Sequence, residues 1–330
     1  MTRVLITGGG GFLGRHLIAK LRARPDYQIR AFGRRAYPDL TALGVETVVG
    51  DLADAAALTA AVRGVDAVFH VAAKVGVVGR YGEYYQTNVG GTRNLLAACR
   101  AAGVKKLVYT STPSVVFGNA NLRNGDEKLP YARRCLTVYA QTKIEAEKLV
   151  LAANDDILTC ALRPHLIWGP GDTNLIPHLI AKAQTGRLAQ IGNGKNLISV
   201  SYVENTADAH LAALDALGVN PAVAGSAYFI NEPEPVNCWD FIRRVLRALN
   251  LPEITFKLPY RAAYALGALM EVGEFLFPAW EPPMTRFLAL QLAKDHCFSI
   301  ARARRDLGWE PRVGIDEGIR RLTAPNGGKR

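Results

Sequence analysis

Tyr139 and Lys143 are the pair of side chains whose types and spacing most directly suggest chemistry. They lie in the run YAQTK, which opens a helical pattern that continues through Leu149, so both side chains share one face of the predicted helix. Reduction of a ketone places negative charge on oxygen while hydride reaches carbon, and a proton donor must stand beside that oxygen. We therefore predict that Tyr139 is the proton donor and that the Lys143 ammonium lowers the pKa of its phenol.

A segment rich in hydroxyl groups closes the fifth strand-like run of the sequence. The run ends with Tyr109, Thr110, Ser111 and Thr112, and open parallel sheets bind ligands at the carboxyl ends of their strands. We predict that the Thr112 hydroxyl orients the carbonyl of the substrate and shares the charge that develops on it. Ser111 and Ser114 remain alternatives for this role, and a hydroxyl that only satisfies a buried strand is the structural alternative.

The glycine-rich segment at residues 8–14 predicts a binding site for a dinucleotide. It follows the apolar run VLIT and precedes an amphipathic helical pattern. Glycines at such a turn let the backbone approach a pyrophosphate, whose charge the free amides at the helix start stabilise. The spacing fits GxxGxxG from Gly8 and also GxGxxG from Gly9, so it leaves two variants of the motif open. The residues assigned to the cofactor here are Gly8, Gly11, Phe12, Leu13 and Gly14.

Two arginines stand where the choice between NAD and NADP is usually made. A carboxylate about 20 residues beyond the glycine motif binds the ribose of NAD, but this position holds Arg34 and Arg35. Guanidinium groups bind phosphate strongly and with defined geometry, so we predict NADP(H), with NAD(H) less favoured. A solvated charge pair is the alternative. Asp51 and Leu52 follow the third strand and are expected at the adenine, although Asp51 could equally cap the next helix.

The first half of the sequence alternates between apolar runs and helical patterns. Continuous apolar runs are typical of buried parallel strands, whose connections require helices, and the pattern predicts an α/β fold with a doubly wound parallel sheet. We predict a dinucleotide-binding domain over 1–170, with about 196–232 returning to it, and a smaller mixed substrate-binding lobe over 171–195 and 233–330. The predicted strands are Arg3–Thr7, Gln28–Phe32, Glu46–Val49, Ala67–His70, Lys106–Thr110 and Leu158–Leu162.

Composition and charge narrow the classes of partner. The chain has 330 residues, five dispersed cysteines and a formal net charge of +11. The basic residues form no stripe with interleaved aromatics, so nucleic acid is not an expected partner; an anionic cofactor, an acidic substrate or an anionic membrane surface suits the charge better. The cysteine pattern favours a reducing compartment and no metal site. With no export signal evident, we expect a cytoplasmic protein that associates with membranes at most peripherally.

The ordered motifs resemble the extended short-chain dehydrogenase/reductases, in the branch of the NAD-dependent epimerases and 3β-hydroxysteroid dehydrogenases. That resemblance implies a Rossmann-type fold, with Tyr139 and Lys143 also contacting the cofactor. It also implies that Ala72, Ala73 and Lys74 border the nicotinamide, that Asn88 supports the active-site helices, and that Pro164 and His165 lie over the nicotinamide amide. Thr112 replaces the usual serine of the catalytic trio. The motifs are TGGGGFLG at 7–14, DL at 51–52, HVAA at 70–73, NVGGT at 88–92, YAQTK at 139–143, RPHLIWGPGD at 163–172 and DLGWEP at 306–311.

Within that family the segment 109–116 and the apolar tract 258–280 resemble the sterol and steroid dehydrogenases. This implies an NADPH-dependent ketoreductase with an apolar, lipid-like substrate, foremost a 2-alkyl-3-oxo acid of olefin biosynthesis. The alternatives are a 3β-hydroxysteroid or sterol dehydrogenase, a nucleotide-sugar epimerase or dehydratase, and a noncatalytic NADP sensor. Candidate partners for the substrate carboxylate are Lys195, Arg187 and His165.

The tract 258–280 has several further interpretations. It fits a lid, a membrane-surface helix or a face that docks a partner enzyme, while ordinary packing inside the second lobe is equally consistent with its apolar spacing. Glu271 and Glu274 interrupt it, so it falls short of a spanning helix. A homodimer is a further expectation.

Overall fold

The computed structural model describes residues 1–276, 280 and 282–324, without the side chains of 274–276. Its strands are β1 (Thr2–Thr7), β2 (Tyr27–Gly33), β3 (Glu46–Val49), β4 (Ala67–His70), β5 (Lys106–Thr110), β6 (Leu122–Gly125), β7 (Leu158–Pro164), β8 (Ile167–Trp168), β9 (Ala189–Ile191), β10 (Leu197–Ile198), β11 (Ser201–Tyr202), β12 (Ser226–Ile230), β13 (Val236–Asn237), β14 (Phe256–Leu258) and β15 (His296–Phe298).

The helices alternate with these strands through the first half and dominate the second. The α-helices are α1 (Phe12–Arg22), α2 (Pro38–Ala42), α3 (Ala55–Ala61), α4 (Tyr81–Tyr84), α5 (Gly91–Ala102), α6 (Val138–Ala152), α7 (Leu175–Gln184), α8 (Val203–Ala216), α9 (Cys238–Ala248), α10 (Tyr260–Leu276), α11 (Arg286–Ala293), α12 (Ala301–Leu307) and α13 (Ile315–Thr323). A π-helical turn spans Tyr85–Gly90, and short 3-10 turns span Pro113–Val115 and Ala153–Asp155.

A seven-stranded sheet organises the larger part of the molecule. Its order is β12-β7-β5-β4-β1-β2-β3, and every neighbouring pair is parallel. All carboxyl ends therefore lie along one edge. Val4, Leu5 and Ile6 are fully buried, as expected for a sheet with helices on both faces. The predicted α/β class with a doubly wound parallel sheet is confirmed.

Helices cover the two faces of this sheet and bury separate apolar cores. On one face α1, α8 and α12 contribute Leu17, Ala207 and Ala303, among others, to the core. On the other face α3, α5 and α6 contribute Leu58, Leu95 and others. The side chains of α6 that carry the predicted chemistry thus stand on an element fixed by the sheet along its length.

The second lobe is built around a four-stranded sheet of order β13-β10-β15-β6. Its core is aromatic, with Trp168 and Trp239 fully buried and Trp168 in edge contact with Phe241 at a centroid distance of 5.1 Å. Helices α7, α9, α10, α11 and α13 surround it and contribute to the same core. Within the described residues, no helix combines the length and the apolar character needed to cross a membrane.

Three elements lie on the other side of the predicted domain boundaries. β6, from within 1–170, and β10, from within 196–232, both pair in the sheet of the second lobe. α12, which falls inside the predicted range 233–330, buries Ala303 and Leu307 in the core beneath the large sheet. The reason is the pairing of β10 with β15, a contact across about a hundred residues that short-range sequence pattern does not encode. β12 pairs with β7 at the edge of the large sheet.

Candidate active site

The glycine turn between β1 and α1 has a shape that requires glycine. Gly8 has φ +72°, and a Cβ placed on it would lie 3.0 Å from the Cα of Ala72. A Cβ on Gly14 would lie 2.3 Å from the carbonyl oxygen of Gly8. α1 then begins at Phe12 without a side-chain cap or an acidic residue in its first turn, which leaves its amides available to an anion. This geometry fits a dinucleotide pyrophosphate.

The side chains predicted near the adenosine end lie at the ends of β2 and β3. Arg34 and Arg35 follow β2 and are exposed. Asp51 is also exposed, and its Oδ1 accepts a hydrogen bond from the amide of Ala53 at 2.8 Å, whereas Asp54 caps α3. The alternative role of Asp51 as the cap of that helix is therefore wrong, because Asp54 stands one residue before the helix.

Leu52 and the segment that follows β4 are held by neighbouring helices. Leu52 is buried, and a Cβ placed on Gly91 would lie 2.6 Å from the Cβ of Leu52. Asn88 fixes Lys74, because its Oδ1 accepts from the amide of Lys74 at 2.7 Å and its Nδ2 donates to the carbonyl of Lys74 at 3.0 Å. Nδ2 also donates to Thr142 on α6 at 3.1 Å. The amide of Asn88 thus joins the segment containing Ala72 and Lys74 to the helix that carries Tyr139.

Tyr139 and Thr112 come together at the carboxyl end of β5. Burial raises the pKa of the Tyr139 phenol to about 12, while a hydrogen bond with Thr112 acts to lower it. Thr112 begins the turn Pro113–Val115, and its Oγ1 accepts from the amide of Ser114 at 3.2 Å. Ser114 Oγ lies 3.3 Å from the same oxygen. A buried phenol with a high pKa stays protonated at neutral pH, which suits it to donate a proton.

Lys143 lies on the face of α6 predicted for it, but its ammonium position differs from the expectation. Its Nζ donates to the carbonyl of Thr110 at 2.7 Å and lies 4.0 Å from the centroid of the Tyr109 ring. Burial lowers the pKa of Lys143 to about 7, with Glu147 acting in the opposite direction. The predicted lowering of the Tyr139 pKa by Lys143 is not seen here, since burial dominates the shift of the phenol.

Glu147 is a functional neighbour that the sequence analysis missed. It is fully buried, accepts hydrogen bonds from Tyr131 at 2.8 Å and Ser111, and forms a salt bridge with Arg163 at 2.5 Å. The Ser111 hydroxyl is thereby committed to Glu147, which leaves Thr112 and Ser114 beside Tyr139. The signal was its spacing, because residues 139, 143 and 147 recur every four residues and share a helix face.

Pro164 is the last residue of β7, and His165 follows it at the carboxyl edge of the sheet. Pro164 is buried opposite Ile230. The His165 ring lies among aromatic side chains, with its Nε2 2.6 Å from Nδ1 of His296. Burial, reinforced by His296, holds the pKa of His165 well below its usual value. His165 is therefore neutral and already bonded, so it is unsuited to pair with a substrate carboxylate. Arg187 and Lys195 are exposed.

A small cavity lies between the start of α6 and the second lobe. Its volume is about 180 Å³, and it is lined by Val77, Val78, Gly79, Leu136, Thr137, Val138, Glu271 and Thr285. Thr137 caps the helix of Tyr139, so the cavity adjoins the predicted reaction site. Glu271 turns inward from α10 to pair with Arg286 at 2.6 Å.

Within the described part of the tract 258–280, α10 presents some apolar side chains to solvent. Leu269 and Val272 on α10 are 70% and 56% exposed, while Ala263 packs in the core of the second lobe. Residues 277–279 of the tract, and the side chain of Phe275, lie outside the described part of the chain. Docking of a membrane or a partner enzyme through this tract stays a prediction.

The fold and the Tyr139–Lys143 helix beside a glycine turn define a nicotinamide-dinucleotide-dependent oxidoreductase that acts on CH–OH groups. Residues 5–260 match the model of the 3-beta hydroxysteroid dehydrogenase/isomerase family, and the chain belongs to that family. It is 47% identical to a 2-alkyl-3-oxoalkanoate reductase of Stenotrophomonas maltophilia, with 98% of each chain covered.

More distant relatives widen the comparison. The chain is 35% identical to the decarboxylating sterol-4-alpha-carboxylate 3-dehydrogenase of Mus musculus. The alignment covers 96% of this chain and 88% of the relative. Among solved structures, the UDP-glucuronic acid 4-epimerase of Bacillus cereus in complex with NAD superposes with a TM-score of 0.74 at 20% identity, covering 96% of each chain. That last likeness shows the shared fold alone.

Proposed function

We propose that this chain reduces a 2-alkyl-3-oxoalkanoate to the 2-alkyl-3-hydroxyalkanoate with NADPH. The observation that carries the reaction type is the half-buried Tyr139 side chain, whose phenol is hydrogen-bonded with the Thr112 hydroxyl at the carboxyl end of β5. The substrate class follows from the name of the relative at 47% identity, which aligns over 98% of both chains. The exposed Arg34 and Arg35, which directly follow β2 where a carboxylate would bind the ribose of NAD, support NADPH over NADH.

When bound, the cofactor would supply hydride to the ketone carbon. The side chains of the chain neutralise and stabilise the negative charge that develops on the ketone oxygen. The Tyr139 O–H donates its proton to the forming alkoxide. The Thr112 hydroxyl donates a hydrogen bond to the same oxygen and holds the carbonyl in place. The residues that would hold the dinucleotide are the glycine turn at Gly8–Gly14, Lys143 for the nicotinamide ribose, and Arg34 with Arg35 for the phosphate of the adenosine ribose.

Lys143 has the right properties to support this proton transfer. A lysine whose pKa burial lowers to about 7 can accept and release a proton near neutral pH. Its amine is kept one helical turn from Tyr139 by α6 and is held in place by the carbonyl of Thr110 at 2.7 Å.

The cavity beside α6 supports an apolar substrate. Valine and leucine side chains line it next to the first residues of α6, and such a wall favours hydrocarbon over a sugar nucleotide. Its acidic lining residue, Glu271, is bonded to Arg286, which reduces the free negative charge beside an acidic substrate. A long alkyl chain would extend from the ketone along this wall.

The test is a comparison of substrates in the oxidative direction, where the hydroxy acid is chemically stable. Purified protein is mixed with NADP⁺ and a 2-alkyl-3-hydroxyalkanoate or a sterol alcohol, and formation of NADPH is followed by absorbance. UDP-glucuronic acid is tested in parallel by chromatography of its epimer, because epimerisation releases no net NADPH. We expect turnover with the hydroxy acid to exceed that with the sterol by about a hundredfold, the scale of a well-matched apolar site. Faster turnover of the sterol, or turnover of the sugar nucleotide alone, would replace this substrate assignment.

A further inference from the structure

Two glycines near the cofactor turn are unexplained by the pyrophosphate. Gly10 belongs to neither spacing of the glycine motif, and Gly33 ends β2. A Cβ on Gly10 would lie 2.0 Å from Cε1 of Tyr37, and a Cβ on Gly33 would lie 2.7 Å from the Tyr37 hydroxyl oxygen. A side chain at either position would have to displace Tyr37, because the Tyr37 ring packs directly on the backbone there.

Guanidinium groups approach this ring from two different elements. The Cζ of Arg15, in the first turn of α1, lies 6.0 Å from the ring centroid, and that of Arg35 lies 5.7 Å away. Nε of Arg15 also donates to the carbonyl of Gly10 at 3.1 Å. The ring thus stands between two cations and limits the directions in which they can extend.

One carboxylate completes the cluster. Asp39, in the first turn of α2, forms a salt bridge with Nη1 of Arg15. The hydrogen bond from Arg15 holds the pKa of Asp39 below its usual value. Both side chains are substantially exposed, at 41% and 55%, and exposed pairs contribute little to stability. A stronger anion can therefore displace Asp39 from Arg15.

We propose that Arg15 and Tyr37 join Arg34 and Arg35 in a site for a phosphate monoester, with Asp39 as the anion that the phosphate displaces. The inference rests on the proposed use of NADPH and assigns its 2′-phosphate to this corner. With three guanidiniums and one carboxylate, the cluster carries two positive charges, which match a phosphate monoester of charge about −1.5 to −2 at pH 7. Arg15 offers Nη1 once Asp39 leaves, and guanidinium binds phosphate more strongly than it binds an exposed carboxylate.

The test measures binding of adenosine 2′,5′-bisphosphate and of AMP to the full chain by calorimetry, which needs no turnover. Arg15→Met should weaken the bisphosphate about tenfold or more, the scale of one charge-assisted hydrogen bond. Binding of AMP should stay within about twofold, since AMP lacks the second phosphate. Asp39→Asn should tighten the bisphosphate severalfold, because the competing carboxylate is gone.

The matched control is Arg100→Met, which breaks another exposed arginine–aspartate pair, with Asp156. It should leave both ligands unaffected, and thermal unfolding of each variant checks that it is folded. Arg15→Lys adds a second measurement, because it keeps the charge and loses the planar fork; it should recover less than half of the lost binding free energy.

Two results would overturn the site in distinguishable ways. Unchanged bisphosphate binding in folded Arg15→Met, with weaker binding in Arg34→Met or Arg35→Met, rejects the role of Arg15 and leaves the NADPH preference intact. Equal binding of the bisphosphate and AMP by the parent protein rejects the NADPH preference itself and this site with it. If the Asp39→Asn variant binds the bisphosphate no more tightly than the parent protein does, the proposal that the phosphate displaces Asp39 is rejected.

Discussion

The two charged corners of this molecule use similar side chains in opposite environments. At the catalytic corner, Lys143, Glu147 and Arg163 are all buried, and burial moves the pKa of Lys143 to about 7. At the corner beyond β2, Arg15, Arg34 and Arg35 are exposed. Burial makes each charge depend on one specific partner, whereas exposure lets salt and water compete for it. The first arrangement suits proton transfer, and the second suits selection and release of a ligand.

The position of each corner in the sheet explains this contrast. β5 is the third strand from one edge of the sheet, with β7 and β12 beyond it, whereas β2 is the second strand from the opposite edge, with only β3 beyond it. Side chains that follow a central strand are covered by neighbouring loops and helices. Those that follow a strand near the edge face solvent. Depth in the sheet therefore divides chemistry from cofactor selection.

The largest effect is expected from Tyr139→Phe at the buried corner. The variant loses the only proton that we assign to the forming alkoxide, and kcat should fall about a thousandfold or more, within the range of general acid catalysis. Binding of NADPH, measured by quenching of protein fluorescence, should change less than about twofold. Turnover at the parental rate would show that the phenol is not the donor.

Glu147→Gln tests whether the buried ion pair is essential to the fold of that corner. Arg163 then keeps its charge without a carboxylate in a fully buried place, which costs about 3–5 kcal/mol of unfolding free energy. Urea unfolding measures it. The control is Glu310→Gln, which breaks the exposed pair with Arg304 and should change stability by less than about 0.5 kcal/mol. Similar losses of unfolding free energy in both variants would mean that burial does not explain the contribution of Glu147 to stability.

A double substitution at the exposed corner should change the preference between NADPH and NADH and should leave the stability unchanged. Replacing Arg34 and Arg35 by Met should lower kcat/KM for NADPH about a hundredfold, roughly tenfold for each charge-assisted contact, with NADH little changed. The loss should shrink at high salt, because exposed charges are screened. A parent enzyme that uses NADPH and NADH equally would contradict the assignment.

The smallest expected effect is a change in the unfolding free energy of the protein with pH, caused by the buried Lys143. The pKa of Lys143 is lowered from 10.5 to about 7 in the folded protein, so between these values the unfolded chain binds the extra proton. Stability must then rise with pH. From pH 7 to 8 the gain is about 1 kcal/mol, and Lys143→Met should lack it. Parallel pH profiles of unfolding free energy in both proteins would show that Lys143 stays charged.

Local pattern was enough to predict the parts of the site that lie within one turn or one helix. The glycine turn, the Tyr139–Lys143 pair and the six predicted strands all depend on spacings of a few residues, where steric rules and the helical repeat act directly. Glu147 could have been found in the same way from its four-residue spacing. The hydrogen bond of Ser111 to Glu147 could be found only in the structure, and Thr112 stays the predicted catalytic hydroxyl, with Ser114 as the remaining alternative.

The sequence by itself therefore determined the class of the fold, the glycine turn and the Tyr139–Lys143 pair that we predict for proton transfer, since each depends on residues close together in the chain. The tertiary structure alone decided which charges are buried and which distant partners they have. His165 meets His296 across 131 positions, Tyr37 covers Gly10, and the Lys143 amine turns toward Tyr109. Such contacts depend on how whole elements pack, and packing is a property of the folded chain that no short window of sequence contains.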